Sequence, residues 1–245
     1  MSAPVFLADT ALLSRGTVVL DGPEGRHAVS VRRLRPGEEV VLTDGAGTGA
    51  WGSVTAVEGK DRLEVTVREV RVEPESQPAL TVVQALPKGD RGELAVETMT
   101  ETGVDAIVPW AASRAVTRWK GERAAKALGK WRSTAREAGK QARRLRFPAV
   151  AEQASSSQVA ALLADADFAG VLHEEGAVPL ATAPLPSSGK IVLVVGPEGG
   201  VAPEELELFA RAGAEPFRLG PSVLRTSTAG TAAAAVVLAR SGRWG

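Results

Sequence analysis

Short apolar and β-branched runs, separated by turns, dominate the first 72 residues. The turns carry the glycine, proline and aspartate chemistry that ends strands. The runs cover 17–20, 39–43, 52–57 and 63–70, and the turns include Gly22-Pro23, Asp44-Gly45 and Glu58-Gly59. This spacing predicts a small antiparallel barrel or sandwich over residues 1–72. The stretch 27–34 departs from the pattern and is predicted to be a short helix.

A polar segment with two prolines, residues 73–79, predicts a linker between two domains. Beyond it, apolar runs alternate with segments of helical periodicity. The runs cover 80–86, 106–110, 170–173, 190–195 and 216–219, and the helical segments cover 94–103, 121–140, 203–213 and 228–240. Alternating strands and helices with fully apolar strands are typical of a parallel sheet covered on both faces. The sequence therefore predicts an α/β domain over residues 80–245.

The 245-residue chain is neutral overall, with 29 basic and 29 acidic side chains, but its charge is unevenly distributed. Residues 114–146 contain twelve Lys and Arg against two Glu, whereas residues 151–217 contain ten acidic residues against two basic ones. An arginine-rich basic segment favours contact with nucleic-acid phosphates. The alternative is a solvated helix face. Tyr is absent and aromatic residues make up 4%, which argues against a base-stacking sheet.

Cysteine is absent, and the chain has two histidines, His27 and His173. This composition excludes disulfides, cysteine nucleophiles and cysteine-ligated metals, and no metal centre is expected. No apolar stretch reaches the ~18 residues of a membrane span. The N-terminal segment has no basic region of the signal-peptide kind, so we predict a cytoplasmic protein.

A first glycine loop, GPEGG at residues 196–200, follows the most apolar predicted strand and precedes a helix. Loops at the carboxyl ends of parallel strands are where α/β proteins bind ligands. The loop matches neither the dinucleotide nor the P-loop pattern. Glu204 and Glu205 in the following first helical turn disfavour an anionic ligand. The alternative is an ordinary tight turn between strand and helix.

A second loop, LGPSVLRTSTA at residues 219–229, precedes the last predicted helix. Thr226 or Ser227 is the expected cap of that helix. The helix begins with small residues, including Gly230 and the alanines 232–235. Small residues permit close backbone approach, so this face is predicted to form a tight intrachain crossing or a subunit contact. The alternative is simply a good helix-forming run.

The two loops, in this order, resemble the cofactor signature of the SPOUT class of RNA methyltransferases, and more narrowly the ribosomal small subunit methyltransferase E family. As a pair they are specific, and the similarity extends along the whole chain. Further matching positions are 27–33 with Pro36-Gly37, Asp44-Gly45, 86–89, 100–104, 107–109, Ser113-Arg114, Trp131 and 141–148.

The resemblance implies an α/β fold class in which a PUA-like β-barrel precedes a SPOUT α/β domain with a C-terminal trefoil knot. It also implies a homodimer through the knot region, S-adenosylmethionine (SAM) as cofactor, and methylation of a uridine N3 in 16S rRNA of the small ribosomal subunit. The cofactor residues predicted on this basis are Leu172, His173, Val195, Gly196, Pro197, Glu198, Gly199, Gly200, Leu219, Gly220, Val223, Leu224 and Thr228. The predicted RNA-binding residues are His27, Arg32, Arg33, Lys88, Arg114, Arg118, Arg143 and Arg144.

Two catalytic candidates follow from the chemistry of a uridine N3 target. The nitrogen becomes nucleophilic as it loses its proton, and a guanidinium stabilises the charge that develops on the flanking carbonyl oxygens. We assign this role to Arg225, with a phosphate contact or ion pair as the alternative. Glu101 is predicted to form a buried pair with Arg114 that shapes the base pocket, with a purely structural salt bridge as the alternative. His173 is either a base or a lining residue.

Four positions depart from the common pattern of the family. Family members often have Glu at the position of Lys140, Gly at that of Arg143 and Glu at that of Ser227, and Ala202 stands where a Ser or Thr cap is usual. The loop cores are intact, so we interpret these changes as lineage variation.

Two alternative functions remain open from the sequence. The first is another SPOUT activity, on a ribose 2′-oxygen or a tRNA base. The second is a noncatalytic RNA-binding protein of ribosome assembly, which the two intact cofactor loops disfavour.

Overall fold

A computed structural model describes residues 3–14 and 16–245 of the chain. These residues form two compact units. The first contains the described residues up to Glu75 together with Gly139–Phe147, and the second contains Ser76–Ala138 and Pro148–Gly245. The sequence predicts 139–147 as part of the second domain, but in the structure this segment packs with the first unit.

The first unit is built on a sheet whose strands run in the order β1-β3-β4-β5-β2 among the described residues. Its elements are β1 (Val5–Leu7), α1 (Thr10–Leu13), β2 (Thr17–Leu20), α2 (Gly22–Arg26), a π-helical turn (His27–Val31), β3 (Glu39–Thr43), β4 (Thr48–Glu58) and β5 (Arg62–Val72). The pairing is antiparallel except between β1 and β3, which run parallel. The short helix predicted at 27–34 is present as the π-helical turn that continues α2.

The segment 139–147 is bound to this sheet by backbone and side-chain contacts. The Thr43 hydroxyl donates to the carbonyl of Leu145 at 3.0 Å, and the amide of Phe147 donates to the carbonyl of Gly45 at 2.8 Å. Lys140 is buried and its Nζ donates to Glu24 Oε1 at 2.8 Å. Its burial beside an acidic partner gives the lysine at this position a structural role.

Arg143 occupies a backbone position that favours glycine. Its φ is 57°, in the left-handed region, two residues after the last residue of helix α4. The amide of Arg143 donates to the carbonyl of Lys140, and that of Arg144 to the carbonyl of Gly139, which is the hydrogen-bond pattern of a Schellman helix end. A glycine at this position, as the family resemblance suggested, therefore has a conformational reason.

The second unit alternates strands and helices as predicted. Its elements are β6 (Ala79–Ala85), α3 (Arg91–Thr102), β7 (Ala106–Trp110), α4 (Glu122–Gln141), β8 (Ala149–Val150), α5 (Ser156–Ala164), β9 (Phe168–Leu172), β10 (Val178–Pro179), β11 (Lys190–Val195), α6 (Pro203–Arg211), β12 (Glu215–Arg218) and α7 (Thr226–Arg240). The last residues of α4 belong to the first unit. Helix α5 and the two-residue strands β8 and β10 were not predicted from the sequence.

All strand pairs described in this second sheet are parallel, in the order β10-β12-β9-β11-β6-β7-β8. Alternate residues of β11 enter different cores: Leu193 packs with side chains of α3, α4 and α7, and Val194 with side chains of α5 and α6. Burial on both faces explains why this strand is apolar throughout. In the part of the chain that the structure describes, no helix combines the length and apolar character needed to cross a membrane.

Helices α3 and α7 cross closely within the second unit. A Cβ added at Gly230 would lie 2.7 Å from Met99 Sδ, and the hydroxyls of Thr98 and Thr231 are 2.6 Å apart. The sequence left open an intrachain crossing or a subunit contact at this face. At Gly230 the structure shows an intrachain crossing.

Candidate active site

A cavity of about 680 Å³ opens at the carboxyl ends of β9, β11 and β12 in the second unit. Neighbouring parallel strands β12, β9 and β11 bring their ends to one edge of the sheet. The lining comes from the segments that follow these strands, 172–175, 195–201 and 218–226, and from Arg91, Arg114 and Ala229. Both predicted glycine loops therefore border one space, as expected for ligand sites in open parallel sheets.

The first loop turns sharply after β11. The amide of Gly200 donates to the carbonyl of Pro197 at 2.9 Å, and Gly200 has a φ of 73°. A Cβ added at Gly196 would lie 2.8 Å from Val201 Cγ2, so this glycine is required for close packing. Helix α6 then begins at Pro203, with Glu204 exposed and Glu205 buried.

The second loop is exposed along residues 220–225 and leads into α7. The N-cap of α7 is Arg225, whose carbonyl accepts from the amides of Thr228 and Ala229, both at 2.9 Å. The expected cap by Thr226 or Ser227 is wrong, because both residues lie inside the first helical turn and are buried. The Arg225 side chain makes no capping hydrogen bond and is exposed at the cavity.

A buried amide ties the start of α7 to the sheet. Gln84, at the end of β6 and fully buried, donates from Nε2 to the carbonyls of Ala85 at 3.0 Å and Thr226 at 3.2 Å. Since Thr226 directly follows Arg225, this contact fixes the backbone that carries the exposed guanidinium.

Charged side chains of both signs surround the cavity. Among the described lining residues, the basic ones are Arg91, Arg114, Arg218 and Arg225, and the acidic ones are Glu174, Glu175 and Glu198. Glu198 Oε1 accepts from the amide of Lys88 at 3.1 Å. Arg114 Nη1 donates to the carbonyl of Gly199 at 3.4 Å, so this arginine lies against the first loop.

The structure brings the predicted cofactor residues together, with one exception. Thr228 is absent from the described lining, and its hydroxyl donates to the carbonyl of Arg225 at 3.3 Å. His173 lines the cavity, and its Nδ1 accepts from the amide of Glu175 at 3.2 Å. Ser227 is buried and lies outside the described lining, so a side chain here does not face the cavity.

Four charged residues of the lining were not among the predicted site residues: Arg91, Glu174, Glu175 and Arg218. A signal was available for three of them. Glu174 and Glu175 follow β9 closely, and Arg218 ends β12, so the rule that ligands bind at carboxyl strand ends points to them. Arg91 begins α3, and its proximity depends on the path of the chain after β6.

The predicted buried pair of Glu101 and Arg114 is not formed. Both residues are exposed, and Glu101 lies on α3, outside the described lining of the cavity. A pair that shapes the base pocket has to be buried at the cavity, and Glu101 is neither buried nor part of the described lining. The predicted pocket-shaping pair is therefore wrong.

The predicted RNA-binding residues divide between the two units. In the first unit, Arg32, Arg33 and Arg143 are exposed, Arg144 is half-buried, and half-buried His27 packs edge-on against Phe6 with 5.7 Å between ring centroids. In the second unit, Lys88, Arg114 and Arg118 are exposed. The guanidinium of Arg118 donates to the carbonyls of Ala112 and Ser113, both at 2.6 Å, so it also braces the loop that carries Arg114.

Comparison with known proteins defines the class. Residues 74–238 match the family model of the RNA methyltransferase domain, and residues 20–68 match that of the RNA methyltransferase PUA domain. The chain therefore combines a PUA domain with an α/β RNA methyltransferase domain, which confirms the predicted fold class apart from the knot.

Full-length relatives define the family more closely. The chain is 43% identical over its whole length to ribosomal RNA small subunit methyltransferase E of Mycobacterium tuberculosis (strain CDC 1551 / Oshkosh), of which it covers 94%. It is 30% identical to the Bacillus subtilis (strain 168) protein of the same name, over 87% of this chain and 86% of that protein. The chain belongs to the ribosomal RNA small subunit methyltransferase E family.

Solved structures agree with this assignment. A ribosomal RNA small subunit methyltransferase E from Neisseria gonorrhoeae, bound to SAM, has a TM-score of 0.84 at 28% identity, with 98% of each chain covered. A methyltransferase from Legionella pneumophila in complex with SAM has a TM-score of 0.86 at 27% identity, also with 98% of each chain covered.

Proposed function

We propose that this protein transfers the methyl group of SAM to N3 of a uridine in 16S rRNA of the small ribosomal subunit. The observation that carries the proposal is the cavity lined by both glycine loops, with the Arg225 guanidinium exposed at its edge. Membership of a family whose members are named ribosomal RNA small subunit methyltransferase E supports an rRNA substrate.

The cavity residues fit SAM as cofactor. A Cβ added at Gly200 or Gly220 would meet no atom within 4 Å, so the absence of side chains at these lining positions leaves room for a ligand. The acidic side chains of Glu174, Glu175 and Glu198 suit a ligand that carries a sulfonium and an ammonium group. The main-chain groups of Gly196, Gly199, Leu219 and Leu224 are suited to hold an adenine through hydrogen bonds.

Bound SAM supplies a methyl group that is already activated, so the protein has to align the nucleophile and exclude water. Arg225 stabilises the negative charge that spreads to the carbonyl oxygens of uracil as N3 loses its proton to solvent. Transfer of the methyl group to N3 leaves S-adenosylhomocysteine as the second product. The hydrogen bond of Gln84 to Thr226 holds the backbone beside Arg225 in place. A chain without cysteine does not form a sulfur adduct with the base, which agrees with direct transfer to nitrogen.

The catalytic role of Arg225 is tested by replacement with alanine. Arg225→Ala is expected to lower kcat at saturating RNA by about 10²-fold, the typical effect of removing one charge-stabilising donor, while SAM affinity changes little. Arg211→Ala is the matched control, because Arg211 is exposed on α6 and lies outside the described cavity lining. Unchanged turnover of Arg225→Ala at saturating RNA contradicts the assignment.

RNA binding is proposed to use the exposed arginines of the PUA-containing first unit and the basic residues beside the cavity. The double variant Arg32→Ala/Arg33→Ala is expected to weaken binding of 16S rRNA. The slope of the logarithm of the binding constant against the logarithm of the salt concentration is expected to fall by the amount for about two phosphate contacts. Calorimetry with SAM is expected to give an unchanged affinity. Unchanged rRNA binding by this double variant counts against the first unit as an RNA-binding surface.

We also propose the trefoil knot at the two loops, a homodimer through the knot region, and action in the cytoplasm, where ribosomal subunits are found. The support for these features is the resemblance of the loop pair to the SPOUT class. Sedimentation equilibrium tests the dimer, and a concentration-independent monomer mass contradicts it.

The reaction product distinguishes the proposed activity from its alternatives. In cells without the gene, 16S rRNA is expected to lack one N3-methyluridine, which mass spectrometry of its nucleosides detects. Reverse transcription of that RNA is expected to show one stop fewer, because N3 methylation blocks base pairing. Loss of a ribose-methylated nucleoside, or of a tRNA modification, supports another SPOUT activity. Unchanged modification together with no SAM binding supports an assembly protein without catalysis.

A further inference from the structure

A buried carboxylate connects three segments next to the cavity. Glu205, at the third position of α6, is 6% exposed. Its Oε1 accepts from the amide of Ser113 at 2.9 Å and from the Ser156 hydroxyl at 2.7 Å. Its Oε2 accepts from the Ser113 hydroxyl at 2.9 Å and from the amide of Ala202 at 3.3 Å. These partners are all donors, as an acceptor-only carboxylate requires.

These contacts exceed what the start of α6 needs. The bond to the amide of Ala202 is the backward half of a capping box, and it acts where Ala202 lacks a hydroxyl cap. The remaining bonds leave the helix and reach the loop after β7 and the start of α5. Ser156 in turn accepts from Trp110 Nε1 at 3.2 Å, which anchors the network in the core.

The position of Arg114 follows from this network. Ser113 is held on its amide and hydroxyl by Glu205 and on its carbonyl by Arg118. The next residue, Arg114, lies against the first cofactor loop: a Cβ added at Gly199 would be 3.3 Å from both the Cβ and the carbonyl oxygen of Arg114. The Arg114 guanidinium itself is exposed at the cavity edge.

We propose that Glu205 is a positioning residue for the RNA substrate, which acts by fixing Ser113 so that Arg114 is held over the cofactor loop. The proposal rests on the proposed RNA methyltransferase function. It assigns to Arg114 a contact with the RNA strand that presents the target base, since an exposed guanidinium beside the cavity suits a phosphate or a base carbonyl. Glu205 itself does not touch the substrate.

The test is a double-mutant cycle on Glu205 and Arg114, read as incorporation of labelled methyl from SAM into small subunits or 16S rRNA. Glu205→Gln keeps the shape but replaces one acceptor by a donor, so a bond to Ser113, Ser156 or Ala202 is lost. It is expected to lower kcat/KM for RNA about tenfold, as is Arg114→Ala, whereas Glu205→Gln in an Arg114→Ala background changes it less than about twofold. SAM affinity of Glu205→Gln is expected to stay near that of the unmodified protein.

The chain offers a matched control and a milder variant. Glu204→Gln, the exposed neighbour in the same helical turn, is expected to leave kcat/KM unchanged. Ser113→Ala removes one of the hydroxyl bonds to Glu205 and is expected to lower kcat/KM by less than Glu205→Gln does. This loss is also expected to disappear in the Arg114→Ala background. The variant therefore provides the test if Glu205→Gln does not fold.

Two results overturn the proposal: independent effects of Glu205→Gln and Arg114→Ala that multiply in the double variant, or full activity of Arg114→Ala. The label reports methylation at any atom of the RNA. The double-mutant cycle therefore remains interpretable even if the product is not N3-methyluridine. A protein that transfers no label at all contradicts the proposed function instead.

Discussion

The close contact between helices α3 and α4 predicts that one added methyl group destabilises the second unit. A Cβ at Gly92 would lie 2.7 Å from Trp131 Nε1, 2.9 Å from Cζ2 and 3.0 Å from Cε2. Optimal carbon contacts are about 3.5–4.0 Å, so the indole has to retreat by roughly 0.8–1.3 Å. Trp131 is buried, and its ring packs edge-on against Trp119 with 5.1 Å between centroids, which limits that movement.

The expected size of the effect follows from two opposing contributions. Overpacking of a well-filled core costs about 1–3 kcal/mol. Alanine in a helix is more favourable than glycine by up to about 1 kcal/mol. A mid-range cost of about 2 kcal/mol, reduced by this gain, leads us to expect that Gly92→Ala lowers the free energy of unfolding by about 1 kcal/mol. Gly129 is exposed on α4, and a Cβ added there would meet no atom within 4 Å. Gly129→Ala is therefore expected to raise the free energy of unfolding by about 0.5–1 kcal/mol.

Urea unfolding monitored by circular dichroism measures both variants. The midpoint of Gly92→Ala is expected below that of the parent protein and the midpoint of Gly129→Ala above it, with equal m-values. A Gly92→Ala midpoint at or above the parent value refutes the reasoning. Trp131→Leu provides a second check, because Gly92→Ala is expected to cost less in that background.

Three further predictions concern the cavity and the first unit. Gly220→Ala places a methyl group in open cavity space and is expected to weaken SAM binding, measured by calorimetry, about tenfold. The control variant Gly129→Ala is expected to bind SAM with the affinity of the parent protein. An equal SAM affinity of Gly220→Ala and the parent protein contradicts a ligand at Gly220. Arg143→Gly relieves the left-handed backbone and is expected to stabilise the protein by about 0.5–1 kcal/mol in urea unfolding, and a loss of stability argues against strain there.

The third concerns Asp44. Burial raises the pKa of this carboxyl, but hydrogen bonds from the amides of Ala46 and Thr48 and the hydroxyl of Thr10 outweigh it and hold the pKa below its ordinary value. A lowered pKa contributes stability above the ordinary carboxyl range that is lost as the pH falls through the lowered value. The stability difference between the parent protein and Asp44→Asn is therefore expected at neutral pH and to shrink in acid; a pH-independent difference contradicts this.

Local patterns were sufficient for most of the second unit and for the ligand loops. The apolar run of β11 and the glycines after it predict a buried strand that ends in a binding loop, because burial on both faces and a sharp turn each demand particular residues. The specificity of the loop pair then indicated the family. Helix α5 was missed although its sequence carries two helix signals: a capping box between Ser155 and Gln158, and apolar residues at helical spacing at Val159, Ala160 and Leu163.

Contacts between residues far apart in sequence decided the rest. The sequence determined the α/β alternation of the second unit apart from α5, β8 and β10, the two glycine loops and the family. Only the tertiary structure placed 139–147 with the first unit, buried Lys140 against Glu24, brought Arg91 to the cavity and separated Glu101 from Arg114. The physical reason is that a periodic pattern reports whether a side chain is buried. Which partner a buried or charged group meets depends on the path of the whole chain, as the bonds between Glu205 and the distant Ser113 illustrate.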